Sequence, residues 1–149
     1  MAGIEQRLAE HRVIGLDTAV FIYHFEAHRD YLGLTTAVLN SIQAGQQQAV
    51  GSVILIMELT VLPWRNHQPN VARQYEALLA NFPNLKLYDV TRETARKAAQ
   101  LRADYNLCPA DALHVATALV NGATAFVSND RQLARLEPII EPIILAEFV

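Results

Sequence analysis

The sequence has only one cysteine, two lysines and no long uninterrupted hydrophobic run. A single thiol, Cys108, cannot form an internal disulfide, so we expect a protein of a reducing compartment, the cytoplasm. The most apolar segment, from Val53 to Leu62, contains Glu58 and is much shorter than the roughly 20 residues that a membrane helix needs. The first residues also lack the apolar stretch of a secretory signal, so neither export nor membrane insertion is expected.

Positive charge is scarce as well. Twelve lysines and arginines face 15 aspartates and glutamates, and the formal net charge is -3. Such a balance excludes general attraction to nucleic acid over the whole surface. A polyanionic partner would therefore have to be bound by a local patch or through a metal ion.

The hydrophobic content of 52% over 149 residues is sufficient for one globular domain with a core of its own. We found no internal repeat, no low-complexity tract and no linker. We therefore expect a single domain over residues 1–149, in which residues 1–11 form an N-terminal lead-in.

Apolar strand-like segments alternate with helical ones along the chain. The predicted strands are 13–16, 49–52, 85–90, 124–127 and 139–145, and Pro142 favours an edge position for the last of them. The predicted helices are 18–25, 31–44, 53–62 ended by Pro63, 69–82, one that Thr91 caps, 109–119 and 131–136. This alternation predicts an α/β protein, an α/β/α sandwich with a mostly parallel central sheet of about five strands.

Four acidic residues lie at strand ends or inside apolar helices in this pattern. Asp17 ends the first strand and Asp130 follows the fourth, while Glu58 and Asp111 lie in the two most apolar helices. Ligands bind beyond the carboxyl ends of parallel strands. If the first and fourth strands are neighbours, the four carboxylates would meet in one pocket.

Four carboxylates at close range raise one another's pKa unless a cation compensates their charge. A set of oxygen ligands without cysteine or paired histidine favours Mg²⁺ or Mn²⁺. Such sites support phosphoryl hydrolysis, because the metal activates water and neutralises charge on the phosphate. Thr18, Ser128 and Asn129 are candidates for orienting the carboxylates or a water molecule.

The segments around these acids resemble the signature segments of the PIN-domain nucleases, and of the VapC-type toxins in particular. The segments are 17–20, 58–59, 111–118 and 127–133. The resemblance covers Val13 to about Leu145 and implies catalytic and metal-binding roles for Asp17, Glu58, Asp111 and Asp130. It also implies an Mg²⁺- or Mn²⁺-dependent endoribonuclease with an RNA substrate, often a homodimer and usually silenced by a cognate antitoxin. Ala19 departs from the family pattern, where a polar residue is frequent, and Ser128 replaces the commoner threonine.

Other interpretations remain open at this point. The chain could be a housekeeping ribonuclease of RNA processing, or a non-catalytic module that uses the same fold for binding. Taken alone, Asp111 could be a first-turn carboxylate that only complements the helix dipole, and Glu58 could point to solvent. His114 lies one turn after Asp111 and could contact the site, but it is interpreted as a histidine packed or capped in the core.

Overall fold

Five short strands form the centre of the structure, a computed structural model that describes residues 3–149. The strands are β1 (Val13–Leu16), β2 (Gln48–Ser52), β3 (Leu85–Tyr88), β4 (Ala125–Ser128) and β5 (Glu141–Ile144). Their order is β3-β2-β1-β4-β5, and every neighbouring pair is parallel. The predicted lead-in is described from Gly3 onwards, so Met1 and Ala2 lie outside the described residues.

Helices connect the strands. They are α1 (Ile4–Leu8), α2 (Thr18–Phe25), α3 (Leu32–Gln43), α4 (Ile54–Arg65), α5 (Pro69–Asn81), α6 (Arg92–Tyr105) and α7 (Pro109–Val120). Two 3-10 helices, Arg131–Leu136 and Leu145–Phe148, flank β5. Turn residues end two of the helices, since Gly45 after α3 and Gly122 after α7 both adopt positive φ. None of the helices in residues 3–149 is both long and apolar enough to cross a membrane.

The sheet separates two hydrophobic cores. Alternate side chains of β4 point to opposite faces, so that Val127 joins one core and Phe126 the other. The first core includes residues of α2, α3 and α4, and the second includes residues of α6 and α7. The predicted α/β/α sandwich is confirmed, with a sheet that is parallel throughout.

Some predicted boundaries were wrong. Pro63 does not end its helix, because α4 continues to Arg65. A proline this close to the C-terminus removes one hydrogen bond, and the last turn is retained by the bond from Asn66 N–H to the Leu62 carbonyl, 2.9 Å. The last strand is also shorter than predicted, Glu141–Ile144, and segment 131–136 is a 3-10 helix. Pro142 lies on the edge strand β5, as predicted.

Candidate metal centre

The carboxyl ends of β1 and β4 lie side by side in the middle of the sheet. The chain runs outward from β1 to β2 and β3, and then returns to place β4 on the other side of β1. This reversal opens a crevice between the connections that leave the two strands. Asp17 follows β1 directly and Asp130 comes two residues after β4, so both residues lie at the same mouth.

Asp17 is held from two sides. Its Oδ1 accepts a hydrogen bond from Thr18 N–H at 2.8 Å, so that it caps α2, and its Oδ2 accepts one from the Ser128 hydroxyl at 2.6 Å. The same Ser128 oxygen accepts a hydrogen bond from Asp130 N–H at 3.1 Å. The fully buried Ser128 thus connects the two acid-bearing strand ends.

Burial raises the pKa of Asp17 above its usual range. Hydrogen bonds from Ser128 and Thr18 and the nearby His114 offset part of this effect, whereas the like charge of Asp111 adds to it. A bound cation would favour the ionised form of Asp17 further.

Glu58 lies on α4 with a side chain that is 30% exposed. Its Oε1 accepts a hydrogen bond from the Thr18 hydroxyl at 2.6 Å and makes a second, very short contact with His114 Nε2. The hydrogen bond from His114 lowers the pKa of Glu58, outweighing the opposite effect of burial, and the Thr18 bond lowers it further. Glu58 is therefore ionised at neutral pH.

His114 is buried as expected, at 3% exposure, but it is more than a packing residue. The sequence left a contact of His114 with the site open, but it did not predict Glu58 as the partner. His114 follows Asp111 by three positions on α7, and residues three apart lie on the same face of a helix. If Asp111 points to the site, His114 therefore lies close to the site as well.

The remaining candidates lie around the same mouth. Asp111 is half-buried in the first turn of α7, after Pro109. Asp130 Oδ1 accepts a hydrogen bond from Gln132 N–H at 2.9 Å and so begins the 3-10 helix. Asn129 donates to the Tyr23 hydroxyl at 3.1 Å and accepts from Ala146 N–H at 2.8 Å, so its amide braces the loop after β4 and bonds to none of the four acids.

By ligand type, the four carboxylates fit a hard divalent cation such as Mg²⁺ or Mn²⁺. Their oxygens do not form a close cluster, however, since no three of these acids have ligand oxygens all within 4.8 Å of one another. Within residues 3–149, the only three acid or histidine residues with potential ligand atoms all within 4.8 Å are Glu10, His11 and Glu141. That cluster lies at the amino ends of β1 and β5, and Arg7 already forms a 3.0 Å ion pair with Glu141.

Comparison with known proteins agrees with the observed architecture. A PIN domain family model matches residues 14–137. No curated protein sequence matches the chain significantly.

Among solved structures, a toxin-antitoxin complex from Klebsiella pneumoniae is similar at a TM-score of 0.64 and 19% identity, covering 90% of this chain and 97% of the other. VapBC2 from Rickettsia felis, bound to a DNA fragment from the promoter, gives a TM-score of 0.70 at 16% identity, with 89% and 98% covered. DNA-bound VapBC from Salmonella typhimurium gives 0.63 at 20% identity, with 90% and 98% covered. At these identities the likeness concerns the fold.

Proposed function

Because the chain belongs to the PIN domain family, we propose that it is a metal-dependent endoribonuclease of the cytoplasm and the toxin of a toxin–antitoxin pair. The observation that carries this proposal is the acidic mouth between β1 and β4. There Asp17 and Asp130 follow two paired strands and share hydrogen bonds with Ser128, and the charge of Asp111 raises the pKa of Asp17. Several partly buried acids around one mouth are costly in a protein that does not bind a cation there.

Asp17, Glu58, Asp111 and Asp130 would hold Mg²⁺ or Mn²⁺. When bound, such an ion supplies an activated water and neutralises charge on the phosphodiester. The chain's own residues prepare the ligands, since Ser128 orients Asp17 and Thr18 orients Glu58. Because the protein has a net charge of -3, its binding of RNA would depend on this metal and on local arginines.

Cleavage of single-stranded RNA with added Mn²⁺ tests the activity. We expect Asp17→Asn and Asp111→Asn to reduce the rate by a factor of about 100 or more, because each removes a charged ligand from the metal. The matched control is Asp104→Asn, which changes an exposed aspartate of α6 and should cleave like the native protein. If both site variants cleave as fast as native protein, a contaminating nuclease is responsible and the proposal is wrong.

An antitoxin is the proposed protein partner. All three similar structures reported above are described as toxin–antitoxin or VapBC complexes, which favours a toxin over a ribonuclease of RNA processing. We expect expression of the native chain to arrest growth, Asp17→Asn to be harmless, and co-expression of a small antitoxin gene encoded immediately upstream to restore growth. RNA cleavage without growth arrest would favour the housekeeping role. A folded protein that neither binds Mn²⁺ nor cleaves RNA would be a binding module.

A homodimer is proposed as the solution state. Several large apolar side chains are exposed on one helix, α4, and such a patch is typical of a protein–protein contact. They are Met57, Val61, Leu62 and Trp64. Sedimentation at micromolar concentration should give a dimer for the native protein and a monomer for Val61→Glu. A native monomer under these conditions would contradict the proposal.

A further inference from the structure

Two donors from different helices converge on one oxygen of Glu58. The Thr18 hydroxyl, from α2, donates to Oε1 at 2.6 Å, and His114 Nε2, from α7, contacts the same atom. The two donors lie 3.4 Å apart. Within residues 3–149, the other oxygen of this carboxylate, Oε2, accepts no hydrogen bond from the protein.

The surroundings of His114 determine which ring nitrogen carries the proton. An ionised carboxylate can only accept, so Nε2 is the donor to Glu58. The other nitrogen, Nδ1, is buried and has no partner among the described residues. A proton on Nδ1 would be a buried unsatisfied donor, which costs about 1 to 3 kcal/mol. A proton on Nε2 that is donated to Glu58 therefore fits the site.

Packing alone does not account for this histidine. Its neighbours on the buried faces of α7, Val115 and Ala116, are apolar, and a hydrophobic side chain would fill the position without an unpaired nitrogen. Glu58 does not need the imidazole either, because its side chain is 30% exposed and could be solvated by water. The pair thus restrains a flexible glutamate that would otherwise have several rotamers.

We propose that His114 is a positioning residue. Together with Thr18 it holds Oε1 of Glu58 and leaves Oε2 as the one oxygen of that carboxylate available to a metal ion or to its water. This inference rests on the proposed function, since it requires that the acidic mouth binds a divalent cation. Partners that orient a ligand in this way commonly change metal affinity 10- to 100-fold when they are removed.

The test compares two substitutions by calorimetric Mn²⁺ binding. His114→Met keeps the volume and removes the donor, so we expect the affinity to fall by a factor of about 10 or more. His114→Gln places a donor N–H near the position of Nε2 and should recover most of the affinity. Thr18→Val and Thr18→Ser form a second pair at the other donor, with loss expected for valine and retention for serine. This second pair answers the question even if His114→Met does not fold.

A double-mutant cycle separates positioning from packing. In a Glu58→Gln background, His114→Met should have little further effect on Mn²⁺ affinity, because the residue acts through Glu58. An equal loss in both backgrounds would overturn the proposal. Native Mn²⁺ affinity in both His114→Met and Thr18→Val would also overturn it. If Asp17→Asn abolished Mn²⁺ binding in that case, the proposed function would stand without the positioning role of His114. Native protein that binds no Mn²⁺ would overturn both.

A metal-free measurement gives an independent readout. A long-range ¹H–¹⁵N spectrum of the native protein should show a proton on Nε2 of His114. A ring without a proton on Nε2 would overturn the proposal, because the histidine could not then donate to Glu58.

Discussion

At the scale of single residues, Asp17 combines two roles that conflict energetically. Its carboxylate caps α2 and accepts a hydrogen bond from Ser128, both of which stabilise the fold. Its burial raises the pKa and makes the ionised form unfavourable without a cation. Ionised Asp17 therefore makes the folded protein less stable than a neutral side chain at this position would.

Asp17→Asn should stabilise the metal-free protein at neutral pH. An acid whose pKa in the folded state lies above its ordinary value of 3.8 contributes stability only at low pH, and this is lost as the pH rises through the folded pKa. Asparagine removes the ionisation and is an equally good helix cap, and its Nδ2 can donate to the Ser128 oxygen in place of the bond that Oδ2 accepts. A gain of about 1 kcal/mol would raise the melting temperature by about 2 to 4 °C.

Melting curves in EDTA at pH 7 and at pH 3 check this expectation. The gain should be present at pH 7 and absent at pH 3, where the native carboxyl is also neutral. Asp104→Asn on the exposed face of α6 is the control and should leave both curves unchanged. A loss of stability at pH 7 would mean that the charge of Asp17 is already compensated within the protein.

Ser128→Ala tests the connection between the two strand ends. The substitution removes a fully buried hydroxyl that donates to Asp17 and accepts from Asp130 N–H, so it should cost about 1 to 3 kcal/mol of unfolding free energy. Mn²⁺ affinity should fall as well, since Asp17 loses its orientation. Ser128→Thr keeps the hydroxyl and should bind Mn²⁺ like native protein. Urea unfolding and calorimetry measure the two effects, and equal affinity for alanine and serine would exclude this role.

The sequence was informative about the acids and much less so about their partners. Glu58 and Asp111 were recognisable because each is a lone charged residue in an apolar helix. A charged side chain on such a helix is unfavourable to bury, so it indicates a functional role. The contact between His114 and Glu58 joins positions 56 residues apart, and no local pattern encodes it. Only the packing of α4 and α7 against the same end of the sheet creates it.

At the scale of elements, the close approach of α7 to β1 positions Asp111 and His114. Gly15 of β1 makes this approach possible, because a Cβ built there would lie 2.5 Å from Ala118 Cβ and 2.8 Å from Phe126 Cδ1. Real side chains do not approach this closely. The helix lies against the backbone of the central strand because that position has no side chain.

Gly15→Ala should therefore displace α7 and lower the unfolding free energy by about 1 to 3 kcal/mol through overpacking. The matched control is Gly33→Ala, at an open position of α3 where an added Cβ meets nothing within 4 Å. That change should be neutral or stabilise the helix by up to about 1 kcal/mol. Combining Gly15→Ala with Ala118→Gly should recover part of the loss. Urea denaturation measures all three, and a native-like Gly15→Ala would contradict the close contact.

Most elements could be predicted because their hydrophobic patterns are strong. The strand Val13–Leu16 and the helix from Pro109 were read at the correct residues. The errors concern the ends of elements. Pro63 lies within α4 instead of ending it, and the last strand ends at Ile144, where a 3-10 helix begins. Helix ends depend on whether packing retains the final turn, and composition does not reveal this.

At the scale of the whole molecule, the N-terminal lead-in is joined to the edge of the sheet. Arg7 of α1 donates to Glu141 of β5 at 3.0 Å, and His11 Nε2 lies 3.1 Å from the same oxygen. Burial raises the pKa of Glu141, but the hydrogen bonds from His11 and Arg7 outweigh this effect, and the net pKa is lowered. The ionised form of Glu141 therefore stabilises the folded chain.

Glu141→Gln should make this end of the molecule less stable in a pH-dependent way. A lowered folded pKa contributes stability above the ordinary value of 4.5, and this contribution is lost as the pH falls through the folded pKa. Since the Glu141 side chain is 31% exposed, the loss at pH 7 should be at most about 1 kcal/mol. Urea midpoints should differ between the variant and native protein at pH 7 and coincide at pH 3. A difference that persists at pH 3 would indicate lost packing instead of lost charge.

The sequence by itself determined which segments are strands and helices and which acids interrupt them, because hydrophobic periodicity and helix signals act over short stretches of chain. The order β3-β2-β1-β4-β5 was decided only by the tertiary structure. That order makes β1 and β4 neighbours, brings Asp17 and Asp130 to one mouth, and lets α4 and α7 place Glu58 against His114. The physical reason is that strand pairing and helix packing depend on contacts between distant residues, and their free energies are set by the fit of whole surfaces.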